Sequence, residues 1–163
     1  MADRRDALLG LGALGGLLAG LRGLFAGAPA QAATAYEVIR TEAQWRKLLT
    51  SEQFHVLREA GTERPFSSPL NKEKRAGVFS CAGCGLPLFA SRTKFDSGTG
   101  WPSFWQPLDN AVDQTVDSTL GMRRVEVLCH RCGGHLGHVF EDGPKPTGLR
   151  YCINGLALKF TPA

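Results

Sequence analysis

Apolar and polar positions change rhythm three times along the chain. From Ala7 to Leu21 the residues are Ala, Leu and Gly without period, preceded by Arg4-Arg5 and cut off by Arg22. That run is too short for a comfortable membrane span. Behind it, Ala28-Pro29-Ala30-Gln31-Ala32-Ala33 carries Ala-x-Ala cleavage patterns. Residues 1–33 therefore read as an export signal peptide, and the adjacent arginines point to the twin-arginine route. An uncleaved signal that anchors the chain at the membrane is the alternative. Residues 34–163 then form one domain.

From Thr41 the period becomes helical. Thr41-Glu42-Ala43-Gln44 has the form of a capping box, with Trp45, Leu48 and Leu49 following on one face. A second box, Thr50 with Gln53, predicts another helix whose apolar side is Phe54, Val56 and Leu57 and whose stop is Gly61. His55 belongs to its surface. Residues 62–66 begin an extended arm and 67–71 an irregular connection. From residue 77 onward the pattern is one of short strands: 77–80, 86–89, 112–116 and 122–128. A last strand-like run, 149–160, has Cys152 near its middle. The 20 glycines and 9 prolines fit this, since they favour turns over long helices.

Charge narrows the choice of partners. The net charge is +4, and the basic residues are scattered rather than clustered, so nucleic acid is not an expected partner. Removing residues 1–33 leaves the balance mildly basic. The sequence has no phosphate loop, no His-Glu-x-x-His and no Ser/His/Asp signature.

Four of the 5 cysteines form two Cys-x-x-Cys-Gly knuckles, Cys81/Cys84 and Cys129/Cys132. Two intervening residues let both sulfurs of a knuckle face one ion, and the following Gly can take the positive φ that the turn requires. Two such knuckles make a closed tetrahedral thiolate site, the pattern of one structural Zn2+. Two disulfides are the competing reading, and iron also suits four thiolates. Cys152 is left over, a candidate nucleophile whose bland alternative is a buried small hydrophobe. His135 and His138 sit upstream in a Gly-rich turn. Trp101 and Trp105 follow the polar loop 96–100, the kind of place where binding residues sit. Arg123 and Arg124 read as a solvated face.

The order of segments is specific. Thr62-Glu-Arg-Pro-Phe66, the first knuckle, Lys94-Phe-Asp-Ser-Gly-Thr-Gly-Trp-Pro-Ser-Phe104, the second knuckle, Gly134-His-Leu-Gly-His-Val-Phe140 and Arg150-Tyr-Cys-Ile-Asn154 occur in succession. With them the chain resembles the type B methionine sulfoxide reductases over about residues 36–160. The resemblance implies a mainly β fold: a zinc-stabilised β-tent of two antiparallel sheets with short N-terminal helices. It implies reduction of the R epimer of methionine sulfoxide in oxidised proteins, with Cys152 as nucleophile and Arg150 activating it. His135, His138 and Asn154 would lie near the sulfoxide oxygen, and Trp101 with Phe104 would bind substrate.

The chemistry supports those roles. A thiolate can attack sulfoxide sulfur only while a neighbouring group donates to its oxygen. On a strand, residues 150, 152 and 154 share one face, with Tyr151 and Ile153 on the other. The chain departs from the family at Thr99, where many members carry a second cysteine that resolves the sulfenic acid. A hydroxyl cannot do this, so the expected reductant is a thioredoxin-like protein or small-molecule thiol, and with an export signal the expected compartment is periplasmic. A zinc β-tent binding module without catalysis is the competing class; such a module has no need of the Arg150/Cys152/Asn154 stripe.

Overall fold

The computed structural model describes residues 36–118, 121 and 123–163. The leader expected over 1–33 lies outside the described residues. Both predicted helices form, α1 over Glu42–Leu48 and α2 over Ser51–Glu59, and both capping boxes close. Gln44 N–H donates to Thr41 Oγ1 at 3.3 Å, and Thr41 N–H donates to Gln44 Oε1 at 2.9 Å. Thr50 and Gln53 make the same exchange at 3.2 Å each way. Such a cap is worth about 1 kcal/mol.

Two details differ from the pattern. Leu48 ends α1 and is 56% exposed, because the chain turns extended at Leu49, which takes the buried place. The α2 stop is Ala60, at φ +53, rather than Gly61. Gly61 N–H then donates to the His55 carbonyl at 2.9 Å, and a Cβ on Gly61 would collide with the His55 ring. His55 itself is exposed and paired with Glu59, as expected of a surface position.

Among the described residues nine strands follow in two antiparallel sheets, so the mainly β expectation holds. The three-stranded sheet runs β2 (Pro87–Ala90), β1 (Gly77–Cys81), β9 (Leu158–Pro162). The six-stranded sheet has the order β3 (Lys94–Phe95), β4 (Ser103–Phe104), β8 (Arg150–Ile153), β7 (His135–Phe140), β6 (Arg124–Cys129), β5 (Val112–Asp117). The run 149–160 is two strands rather than one. It breaks at Asn154 into a 3-10 turn, Gly155–Ala157, and passes from one sheet to the other. The His-rich segment is likewise a strand, β7, inside the larger sheet rather than a turn.

The core lies where the sheets and α2 meet. Phe104 stacks on Phe89 with centroids 4.3 Å apart and meets the Phe79 ring edge-on at 5.0 Å. Tyr151, Ile153, Val127 and Leu136 fill the rest, and α2 packs on β7 and the Gly155–Ala157 turn. Each such side chain contributes about 1.5–3 kcal/mol when fully buried. Phe104, expected at the substrate, packs in this core and does not line the cavity that holds Cys152. It is fully buried because its β4 register pairs it with Tyr151 on the core side. Among the described residues, no helix is long and apolar enough to cross a membrane.

Candidate functional site

The two knuckles converge. Cys81 closes β1 and Cys129 closes β6, so the cluster joins the two sheets. Gly85 and Gly133 hold φ of +76 and +65, the left-handed turn expected after each second cysteine. The four Sγ atoms lie within 4.8 Å of one another, with Cys81–Cys132 at 3.8 Å and Cys84–Cys129 at 3.5 Å. Both of these close pairs run between the knuckles and not within them, the arrangement of one shared ion rather than of a disulfide in each knuckle. Four sulfurs about 2.3 Å from one ion stand roughly 3.8 Å apart. The donor set and its spacing therefore fit a tetrahedral metal ion, with His130 directed away to Asp113.

A second cavity, of about 140 Å³, is lined by Thr62, Trp101, Arg124, Gly137, His138, Phe140, Cys152 and Asn154. A wider groove of about 790 Å³ runs between α2 and the 62–70 arm. It shares only Thr62 with the smaller cavity, and neither Cys152, His135 nor His138 lines it. The chemistry belongs to the smaller one.

Strand pairing places its walls. Ser103 of β4 is the partner of Cys152 in β8, and Ile153 N–H donates to the Pro102 carbonyl at 2.9 Å. The loop before β4 therefore delivers Trp101 beside the thiol. Its indole Nε1–H donates to the Glu63 carbonyl at 3.1 Å. Glu63 N–H in turn donates to Asn154 Oδ1 at 3.0 Å, and Asn154 Nδ2 donates to the Leu136 carbonyl at 3.1 Å. The Glu63 carboxylate accepts from the amides of Gly155 and Leu156. One residue of the arm thus clamps two walls of the cavity.

The histidines owe their common side to an irregularity. Residues three apart on a regular strand face opposite ways. Opposite β6, however, Leu128 pairs with His135 and Val127 with Gly137, so Leu136 is an extra residue. This bulge turns Leu136 into the core and brings the two imidazoles together, centroids 5.5 Å apart. Gly137, at φ +157, is required there, because a Cβ would strike the Cys152 carbonyl.

Carboxylates fix the two rings differently. His135 Nδ1 lies 2.6 Å from Glu126 and His138 Nε2 lies 2.9 Å from Asp117. A carboxylate only accepts, so the proton sits on Nδ1 of the first ring and Nε2 of the second. Burial pushes the His138 pKa below the ordinary histidine value, with Arg124 and His135 adding to that and Asp117 opposing it. The cavity thus presents a neutral imidazole at pH 7.

Burial likewise pushes the Cys152 thiol above the ordinary cysteine value. The Thr99 hydroxyl, 3.9 Å from Sγ, and the Arg150 guanidinium pull it the other way. Arg150 is itself held by Asp142 through two bonds of 2.8 Å and lies over the Phe140 ring at 4.4 Å. Thr99 is the head of a hydroxyl chain, reaching Ser97 at 2.8 Å and then Ser103 at 2.7 Å.

Of the sequence-predicted residues, Cys152, Trp101, His138 and Asn154 line the cavity. His135 and Arg150 stand behind it, and Phe104 is in the core. Sequence reasoning missed Thr62, Glu63, Asp117, Glu126 and Asp142. It also placed Arg124 on a solvated face, whereas Arg124 lines the cavity and pairs with Asp117 at 2.6 Å. Strand alternation carried part of this information: 124 and 126 fall opposite the apolar Val125 and Val127.

The SelR domain family matches residues 49–162. The peptide methionine sulfoxide reductase MsrB of Leptospira interrogans is 56% identical over 126 residues, covering 77% of this chain and 96% of the relative. The protein of the same name from Bradyrhizobium diazoefficiens is 59% identical over 127 residues, 77% of this chain and 91% of the relative. That from Methanosarcina barkeri is 57% identical over 124 residues, 76% and 87% respectively.

Proposed function

The chain belongs to the SelR-domain family, the type B methionine sulfoxide reductases, and from that premise we propose that Cys152 is the nucleophile of its reaction. The reaction is the thiol-dependent reduction of the R epimer of methionine sulfoxide to methionine, a repair of oxidised protein. The observation that carries the assignment is a small cavity in which one cysteine, outside the metal-type cluster, faces a tryptophan, an imidazole and an amide.

The Cys152 thiolate attacks the sulfoxide sulfur, forming an S–S bond, while a water held on His138 Nδ1 delivers a proton to the sulfoxide oxygen. The protonated oxygen then passes to Cys152 Sγ as the S–S bond and the S–O bond to the methionine sulfur break, so that methionine leaves and Cys152 is a sulfenic acid. Two equivalents of thiol then restore Cys152, releasing water and a disulfide. A water held on His138 Nδ1 and the second Nδ2–H of Asn154 orient the oxygen, His135 supports His138, and Trp101 packs against the substrate methyl. Thr99 stands where a resolving thiol would be needed, so the reductant attacks directly. A thioredoxin-like protein or a small thiol fits that step.

Cys81, Cys84, Cys129 and Cys132 would hold one structural Zn2+; four thiolates leave no coordination position open, so the ion would supply folding stability between the sheets rather than chemistry. Residues 1–33 act as an export signal, and residues 34–163 work in the periplasm. Cell fractionation and N-terminal sequencing test this; an intact leader in the membrane fraction means an anchored protein instead.

The deciding experiment uses separated epimers of a methionine sulfoxide peptide with dithiothreitol, for wild type and Cys152→Ser. Turnover of the R epimer alone, abolished in the variant, is expected. Folded, metal-loaded protein that reduces neither epimer would point to a binding module.

A further inference from the structure

Phe66 belongs to neither the core nor the cavity lining. Its side chain is 71% exposed, and its backbone sits at φ +63. A bulky residue at positive φ is a backbone outlier, and such strain persists only where the surroundings enforce it. The enforcing contacts are with the loop that carries Trp101. Phe66 N–H donates to the Gly100 carbonyl at 2.7 Å. The same carbonyl accepts from Asn71 Nδ2 at 2.8 Å. Gly100 is itself at φ +96, and a Cβ there would stand 2.8 Å from Pro65 Cβ and 2.9 Å from the Phe66 nitrogen. Two left-handed residues from separate segments are thus locked together, and the result is an aromatic ring held in solvent against the loop that carries Trp101.

The cavity's size says what such a ring faces. At about 140 Å³ it is smaller than the roughly 300–1,000 Å³ that enclose whole drug-sized ligands. It takes a side chain, and the polypeptide on either side of an oxidised methionine must cross the rim. Thr62 and Trp101 are on that rim, one in the arm and one in the loop that Phe66 bridges. A rigid aromatic offers contact area at low entropic cost.

We propose that Phe66 is a specificity-determining residue that packs against the polypeptide flanking the oxidised methionine and so favours peptide-bound over free methionine sulfoxide. This deepens the reductase reading and rests on it.

The test compares Phe66→Ala and Phe66→Gly with wild type, under dithiothreitol, on two substrates. One is N-acetyl-methionine-R-sulfoxide methylamide, which has no flanking residues. The other is a decapeptide with the R-sulfoxide between leucines. The expected result is a KM on the decapeptide raised about tenfold, at unchanged kcat, with the small substrate unaffected. Phe66→Gly should also leave Tm unchanged or raise it by about 3 °C, because glycine relieves the positive φ. Equal losses on both substrates, or no loss on either, would overturn the proposal. A fall in Tm of Phe66→Gly by more than about 5 °C would do the same, since it would make the ring a structural support. A defect seen only when a thioredoxin-like donor replaces dithiothreitol would transfer the ring to reductant docking and overturn it as well. Wild type inactive on both substrates would instead overturn the reductase reading beneath it.

Discussion

The cysteine cluster and the Cys152 cavity both stand at the edges of strands, but the chain assembles them by opposite means. The cluster needs two local turns, each supplying two ligands, and one long-range contact to bring the turns together. The cavity takes its parts from five separate segments: the 62–66 arm, the 97–101 loop, and strands β6, β7 and β8 with the Asn154 turn. No two of its three main side chains, Trp101, His138 and Cys152, come from the same segment. A cluster of four equivalent sulfurs tolerates small errors, because an ion draws its ligands in. The cavity has no such centre, and its geometry depends on hydrogen bonds from residues that do not line it. Glu63, Asp117, Glu126 and Asp142 are of that kind.

Exchanging one sulfur for oxygen in each region should separate the two roles. Cys152→Ser is expected to lower kcat/KM on the R-sulfoxide by at least about 10³-fold, because a hydroxyl is far less nucleophilic than a thiolate, while Tm stays within about 2 °C of wild type. Cys84→Ser should do the reverse: metal content by mass spectrometry drops below one per chain, and Tm falls by more than about 10 °C, since structural metal binding is folding energy. A stable Cys84→Ser protein with full activity would remove the cluster's structural role.

A pair of glycines sharpens the contrast. Gly137→Ala drives a Cβ into the Cys152 carbonyl across the β7–β8 ladder, so activity should fall about 100-fold, with a stability loss of about 3 kcal/mol in urea unfolding. Gly85→Ala meets nothing within 4 Å and carries only the strain of φ +76, so it should cost about 1 kcal/mol and leave kcat untouched. Equal effects at the two positions would mean that the bulge does not hold the histidines in place. Between them in size stands Glu126→Gln. It keeps the shape but no longer fixes the proton on His135 Nδ1, so kcat should fall roughly 10-fold to 100-fold with little change in KM or Tm. An unchanged kcat would make Glu126 a surface acid.

The same division governs what could be read in the sequence. The knuckles, both capping boxes and strands β1, β2, β5 and β6 are encoded over a few residues, and each stands close to where spacing put it. The arrangement around Cys152 is encoded in pairings between distant strands. That His135 and His138 share a side depends on Leu136 being unmatched by β6, which no spacing within β7 reveals. Phe104 and Trp101 are aromatics of one loop. Only the pairing of Phe104 with Tyr151, and of Ser103 with Cys152, sends the first into the core and leaves the second at the cavity. Arg124 resembles its neighbour Arg123 in sequence and differs from it by the strand alternation that turns it inward.

The smallest expected effect concerns the charge on Cys152, and it too sets the two regions apart. A pKa raised by burial means that the thiol form dominates at pH 7 and that the thiolate grows as pH rises. Alkylation of the free enzyme by iodoacetamide should therefore speed up with pH, with a midpoint above that of an unperturbed cysteine. The Thr99 hydroxyl and the Arg150 guanidinium both favour the thiolate, so Thr99→Val and Arg150→Met should each move the midpoint further up. At pH 7 each variant should react about threefold more slowly than wild type. Asp142→Asn frees Arg150 of a competing negative charge that also acts on Cys152, so its direct electrostatic effect is to lower the midpoint. If the midpoint rises instead, the carboxylate's main service is to aim the guanidinium, and the pair then works as a unit. Metal-loaded protein should incorporate one label per chain throughout, because thiolates bound to an ion are protected. A second fast-reacting sulfur would show that the cluster is open to chemistry and that the separation of the two regions is incomplete.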